Sequence, residues 1–513
     1  MMSKAHIIPE ASVFDCYPVG PTVISKDDYM PKSVKALPAY FLNPFLMGNA
    51  CIMVSYFNVG IVWYFLATPV SYYLITTLSV SSTQFAAYNG LISIPWSLKF
   101  VFGMISDGVP ILRYRRKSWV IIGWLGFVAV NLWLAFTGPP GIDMTIGMMF
   151  FMSILYLMSD VCTDCLVVDR ARYESDDIKG SLQTSGYTIR AFGSVIGALL
   201  GALLYNTATW GWGLTINQCF LLSALIPLIT IVPVIPALEE LTSSLVVPNF
   251  TQQFACLWDV MQLRAMYQPM TFIFIYGIFQ IPNGAWTNFL IDGLGFTDFE
   301  YGMLTVVGTV LTWIGMVIYK EFFFETSWRN IYIYTTIIVA FFSLLQIILI
   351  LRLNVAVGIP DFWFALGDTA ATMFVAAIQY MPGCIAFAMI CPEGNEGLVY
   401  SMLTTIWNLS YTVAQDLSSG MTLIWDVSNE TIQGGDYTGV LYLAILTSLL
   451  QLVPLALVWM LPDTKAEQKA LLESNERSAL YGGLLLGTSV FCLVATITIS
   501  IVLIWFPIEP DYS

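Results

Sequence analysis

A chain of 513 residues that is 57% hydrophobic and only 11% charged, with a mean hydropathy of +0.75, does not have the composition of a soluble globular protein. It reads as an all-α polytopic membrane protein, because its apolar runs are long, whereas β-barrel strands are short and alternate. The net charge of −14, with no basic domain and no basic patch interleaved with aromatics, argues against a nucleic-acid partner.

Residues 1–45 hold Pro, Asp and Glu around no apolar core. They are expected to form a cytoplasmic tail, being neither a signal peptide nor an acid-poor transit peptide. A span needs about 20 apolar residues. Such runs occur near 48–72, 83–105, 118–137, 145–168, 182–206, 214–236, 265–291, 300–320, 330–353, 362–390, 398–425 and 437–461. The longest inner loop, 237–264, separates a six-helix bundle at 46–236 from a second at 265–461, which is the layout of a major-facilitator fold. A second inner linker, 462–478, leads to a thirteenth run at 480–506. The segment 479–513 is therefore expected to be an extra transmembrane helix with an outer acidic tail. That run has no polar face, so it is expected to cross the bilayer rather than lie on it, and it offers a surface to a membrane-protein partner.

Orientation follows from the cations. With the N-terminus inside, the inner tail and loops carry Lys4, Lys26, Lys32, Lys35, Arg113, Arg115, Arg116, Lys117, Arg170, Arg172, Lys179 and the later Lys and Arg residues. Arg352 alone falls outside. This is the positive-inside pattern. The expected location is the plasma membrane, with a plastid or other organelle envelope as the alternative. Asn429-Glu-Thr431 is a glycosylation sequon in an expected outer loop.

The stretch Ile94–Trp119 places Lys99 inside an apolar helix that ends in Gly103-x-x-x-Asp107 and a basic loop. Asp160 and Asp164, in the fourth span, share a helix face by their i, i+4 spacing, and Arg190 lies in the fifth. All four sit very roughly 6–12 Å inside the same boundary at about 1.5 Å rise per residue. A lone charge at a span centre costs on the order of 2.5–3.5 kcal/mol, so two acids and two bases at one depth are expected to pair toward the protein interior. Functionally, Lys99 or Arg190 would meet an anionic substrate group and Asp160 or Asp164 would take a proton. Structurally, the same four would be a fixed network that locks helix packing.

Asp107, with Gly103, Arg115, Arg116, Asp169 and Arg172 close by in topology, is expected to form a cytoplasmic gate of charge-assisted bonds. The alternative is ordinary inner-loop charge. Gly193, Gly197 and Gly201 recur every fourth residue and make a small-residue packing face. Pro282, Asn283, Gly284, Trp286 and Asn288 interrupt the seventh span, as is tolerated beside a cavity. Asn283 and Trp286 would there hydrogen-bond and stack on a flat heteroaromatic ligand. Gln379, Asn408 and Asp416 are further polar residues of the later spans, with no role assigned. Cys162-x-x-Cys165 lies within a span and reads as two small apolar residues one turn apart, not as a redox or metal pair. The single histidine, His6, lies in the tail, so no metal, cofactor or histidine proton relay is expected. A coupling group would have to be a carboxylate or a tyrosine. No nucleophile–base constellation points to an enzyme.

IPWSLKFVFGMISDGVPILRYRRKSW, DVCTDCLVVDRARYE, GSLQTSGYTIRAFGSVIGALLG and CPEGNEGLVYSMLTTIWNLS together resemble the folate–biopterin transporter family, in order, across about residues 50–460. The resemblance implies a major-facilitator fold and uptake of pterins or folates driven by protons. It also implies family-pattern positions at Lys99, Asp107, Asp160, Asp164 and Arg190. Arg113, Trp119 and Asp169 depart from the pattern, and the thirteenth run lies beyond it. The leading expectation is thus a proton-coupled pterin carrier. The alternatives are a carrier of another solute, such as S-adenosylmethionine, and a non-transporting membrane subunit or sensor.

Overall fold

The computed structural model describes residues 47–505, apart from 113, 172–180, 207–209, 239, 241–249, 324–325 and 391–395. The expected tail at 1–45, the acidic end at 507–513, Arg113, Arg172 and most of the Cys391–Gly397 turn therefore lie outside the described residues. Helices account for almost all of the rest, and no strand occurs among the described residues.

The first half comprises α1 (Met47–Tyr72), α2 (Ser82–Ser93), α3 (Lys99–Gly108), α4 (Lys117–Phe136), α5 (Ile142–Ala171), α6 (Ser181–Leu204) and α7 (Ile216–Thr230). Then come α8 (Phe250–Met261), α9 (Arg264–Ile278), α10 (Asp298–Ile318), α11 (Trp328–Ile350), α12 (Asp361–Ile390), α13 (Glu396–Met421), α14 (Thr438–Leu450), α15 (Lys465–Glu473) and α16 (Ala479–Trp505). Polar caps start several of them. Ser81 with Gln84, Thr215 with Gln218 and Thr297 with Glu300 form capping boxes that satisfy first-turn N–H groups.

Nine helices among the described residues are long and apolar enough to cross a membrane. The second, sixth, seventh and eleventh expected spans are not among them, for local reasons. The second is broken at Ile94–Leu98, a 3-10 segment in which Pro95 lacks an N–H. The sixth, α7, stops at Thr230, and the seventh, α9, at Ile278 before Pro282. The eleventh, α13, is long but carries Ser401, Thr404, Thr405, Asn408, Thr412, Gln415 and Asp416. The inner loop 237–264 is not wholly loop either, since α8 lies within it.

Glycines set the closest approach in the first half. A Cβ on Gly193 or Gly197 would strike the backbone carbonyl of Phe57 or Ile61, and one on Gly201 would come 2.7 Å from that of Phe65. The four-residue glycine repeat of α6 therefore lies directly on α1, as the small-residue spacing implies.

The two halves meet along α2–α3 and α13, which run antiparallel. Thr83 Oγ1 lies 2.8 Å from Thr422 Oγ1 and Ser97 Oγ 3.0 Å from Thr412 Oγ1. A Cβ on Gly90 would sit 2.9 Å from Asp416, and one on Gly103 2.8 Å from Ser401. The final helix, α16, covers this seam. Its Ser489, Thr496 and Ser500 are buried, with Ser500 donating to Asp416 Oδ1 at 2.8 Å, while Val490, Phe491 and Val494 face outward. The run expected to lack a polar face thus has one, built of small hydroxyls and turned onto its own chain. Short side chains of this kind scarcely lower the hydropathy of a long apolar segment.

Candidate transport site

The break at Ile94–Leu98 delivers Lys99 to the first turn of α3, with Leu98 (φ −108°, ψ 12°) outside helical geometry. Lys99 is 4% exposed and Asp160 0% exposed. The Lys99 ammonium donates to Asp160 Oδ2 at 2.7 Å and to Asp164 Oδ2 at 3.4 Å. Arg190 Nη1 donates to Asp160 Oδ1 at 3.1 Å, so Asp160 bridges both cations. Asp164 accepts from the Tyr56 hydroxyl at 2.6 Å. All four sequence-predicted charges thus form one buried cluster held by α1, α3, α5 and α6. Its formal charge is zero, two cations against two carboxylates.

Aromatic rings wall it. The Lys99 ammonium lies 4.9 Å and the Arg190 guanidinium 5.0 Å from the Trp96 ring centroid, placing two cations against one indole. Trp63 and Tyr156 pack on Trp96 at 5.8 and 6.1 Å. From the second half, Tyr400 meets the Tyr187 hydroxyl at 2.8 Å, and Tyr380 and Trp407 stack edge-on at 5.3 Å. A small void adjoins the cluster, lined by Lys99, Asp164 and Cys165 on one side and Tyr400, Ser401 and Thr404 on the other. It has room for about one water, whereas sites for drug-sized ligands occupy about 300–1,000 Å³. This conformation is therefore closed around the charges.

At the near end of α3, Asp107 Oδ1 accepts from Arg115 Nη2 at 3.0 Å and Arg116 Nη2 at 3.2 Å. Arg116 Nη1 reaches the Cys165 carbonyl at 2.9 Å, tying the loop to α5. Glu240, which the sequence reading did not single out, accepts the backbone N–H groups of Arg115, Arg116 and Lys117 at 2.9–3.3 Å. It lies more than 120 residues from them, and no motif marks it. Gly103 faces Ser401 of the other half. The side chain of Asp169 and all of Arg172 lie outside the described residues.

Asn283 and Trp286 are placed elsewhere. Asn283 Nδ2 donates to the Val440 carbonyl at 3.2 Å, and its Oδ1 accepts from the Ala285 N–H at 3.1 Å. Trp286 packs at a tilt against Phe289, with ring centroids 5.5 Å apart. In this conformation neither touches the ionic cluster. Gln379 joins Thr336 at 3.0 Å, which in turn lies 3.0 Å from the Tyr276 hydroxyl. Cys162 and Cys165 are both buried. Tyr56 and Trp96 are the cluster members without an assigned role in the sequence reading, since a single Tyr or Trp in a chain that is 15% aromatic carries no signal.

A model of the BT1 family matches residues 60–479. The chain belongs to the BT1 family. It is 30% identical over 446 residues to a folate-biopterin transporter of Synechocystis, covering 84% of this chain and 86% of that one. It is 24% identical over 392 residues to folate transporter 1 of Plasmodium falciparum, covering 76% and 74%. Among solved structures it is similar to a D-xylose-proton symporter (TM-score 0.54, 13% identity, 81% of this chain and 97% of that one). A POT family transporter in complex with a thioalcohol-conjugated peptide gives a TM-score of 0.58 at 13% identity, covering 79% and 95%. These likenesses establish a major-facilitator fold in a multi-pass membrane protein of a transporter family, not an enzyme. Lys99, Asp107, Asp160, Asp164 and Arg190 all lie within the matched residues.

Proposed function

We propose that this protein is a secondary active carrier that moves folate- or biopterin-type pterins by alternating access, with protons as the coupling ion. The observation that carries the reading is the buried, electrically balanced cluster beside Trp96 at the seam between the halves. A pterin is flat and rich in hydrogen-bonding groups, and folate adds carboxylates. Trp96 offers a π face, and Lys99 and Arg190 offer cations to a carboxylate.

Asp164 is the carboxylate we assign to the coupling proton. It holds Lys99 at 3.4 Å, against 2.7 Å for Asp160, and it alone has a tyrosine hydroxyl on it. A proton on Asp164 gives the cluster a net charge of +1 and loosens one hold on Lys99, which readies the site for an anion. Loss of the proton after the solute leaves restores the balance. Asp107, Arg115, Arg116 and Glu240 close the end of the pathway that we assign to the cytoplasm, where the loop cations concentrate. We assign the protein to the plasma membrane, with the outward apolar face of α16 toward lipid.

The test is uptake of labelled folate and biopterin into transporter-deficient cells at acidic and at mildly alkaline outside pH, for wild type and Asp164→Asn. The expected result is uptake that rises at acid pH and is lost in the variant. Absence of uptake of both solutes, with the protein shown at the cell surface, would overturn the pterin assignment.

A further inference from the structure

Phe100 and Trp96 stand four residues apart, so in an unbroken α-helix the Phe100 N–H would bond the Trp96 carbonyl. Here each is engaged by α13 of the other half. The Phe100 N–H donates to Thr405 Oγ1 at 3.0 Å, and Asn408 Nδ2 donates to the Trp96 carbonyl at 3.0 Å. Phe100 is the second residue of α3, so its N–H is one of the first-turn donors that a helix leaves without an internal partner. The cap comes from a residue 305 positions away. Thr405 is buried at 4% exposure, where an unmet N–H is costly. Ser97 and Thr412 add a third contact between the same two segments, at 3.0 Å.

We propose that Thr405 and Asn408 are positioning residues that hold the second helix open at Trp96–Phe100 and thereby set Lys99 on Asp160 and Asp164. Lys99 lies between the two capped groups, so its direction depends on the break. When the halves part at this seam, both caps leave together. The Phe100 N–H and the Trp96 carbonyl then satisfy each other across one helical turn, which turns Lys99 away from the carboxylates. Opening of the pathway and release of the ion pair become one event, linked through two side chains that touch neither carboxylate. This rests on the reading of the cluster as the coupling site, and it adds the mechanical connection between that site and the moving half.

The test compares Thr405→Val, which keeps the shape and removes the acceptor, with Thr405→Ser, which keeps the acceptor. The first readout needs no solute. It is the structure of each purified variant by electron cryomicroscopy. Thr405→Val is expected to show the Phe100 N–H on the Trp96 carbonyl and Lys99 out of reach of Asp160, with Thr405→Ser as the wild type. The second readout is uptake. Thr405→Val is expected to lower the maximal rate by at least about tenfold with KM changed less than about twofold and an altered pH profile, while Thr405→Ser stays within about twofold of wild type. An open break with Lys99 still on Asp160 in Thr405→Val, or a wild-type maximal rate and pH profile, would overturn the proposal. If Thr405→Val fails to fold, Asn408→Leu provides the same comparison from the carbonyl side. If the wild type carries neither folate nor biopterin, the substrate reading fails and the structural readout still decides this one.

Discussion

Asp160→Asn is the most informative single change, because buried Asp160 bridges both Lys99 and Arg190. The substitution keeps size and removes one charge. Lys99 then retains only Asp164, at 3.4 Å, and Arg190 loses the carboxylate it meets at 3.1 Å. The site goes from two carboxylates against two cations to one against two, at a position with no solvent exposure. Breaking a buried pair by deleting one partner costs about 3–5 kcal/mol, most of it the uncompensated charge left behind. Asp164→Asn is the control. It leaves the Asp160 bridge to both cations intact and still offers Tyr56 an acceptor, so it should cost about 1.5–3 kcal/mol, the worth of a hydrogen bond to a charged group. The assay is thermal unfolding of purified protein in one fixed detergent and lipid mixture, with Lys99→Met combined with Asp160→Asn to close a double-mutant cycle. The double variant, which restores charge balance, should lose less than the sum of the single losses. If Asp160→Asn melts with the wild type, or Asp164→Asn proves the more damaging of the two, the bridging argument is wrong.

Three further outcomes are expected. Gly193→Ala should drive a methyl group into the Phe57 carbonyl of α1 and cost about 1–3 kcal/mol, visible as a lower melting temperature, whereas Gly147→Ala, with open space around it, should be silent. Asp107→Asn should weaken the contacts with Arg115 and Arg116 and open that end more often. Cys165, which lines the void, should then be alkylated faster than in the wild type when its peptide is followed by mass spectrometry. An unchanged rate would remove Asp107 from the gate. Thr83→Cys with Thr422→Cys, replacing hydroxyls 2.8 Å apart across the seam, should form a disulfide under oxidation that stops uptake until it is reduced. Full uptake by cross-linked protein would mean that the seam does not separate there.

Much of this was set by sequence alone. Composition fixes a multi-pass helical protein, because only a membrane accommodates this hydropathy. Lys99, Asp160, Asp164 and Arg190 were legible as a group because a charge within an apolar span is expensive, and two of each sign at one depth have an obvious partner set. Asp107 with Arg115 and Arg116, and the α6 glycine repeat, were legible for similar local reasons. Other features belong to tertiary structure only. Glu240 caps three N–H groups from a distant segment. Tyr56 reaches Asp164 across 108 residues. Thr405 and Asn408 complete a break in a helix of the other half. Each is an ordinary residue whose hydroxyl, amide or carboxylate matters only because the fold brings it to a backbone or side-chain group left without a partner in its own element. A sequence announces the cost of a buried charge wherever it stands, but a hydrogen bond has no signature until both of its ends are placed.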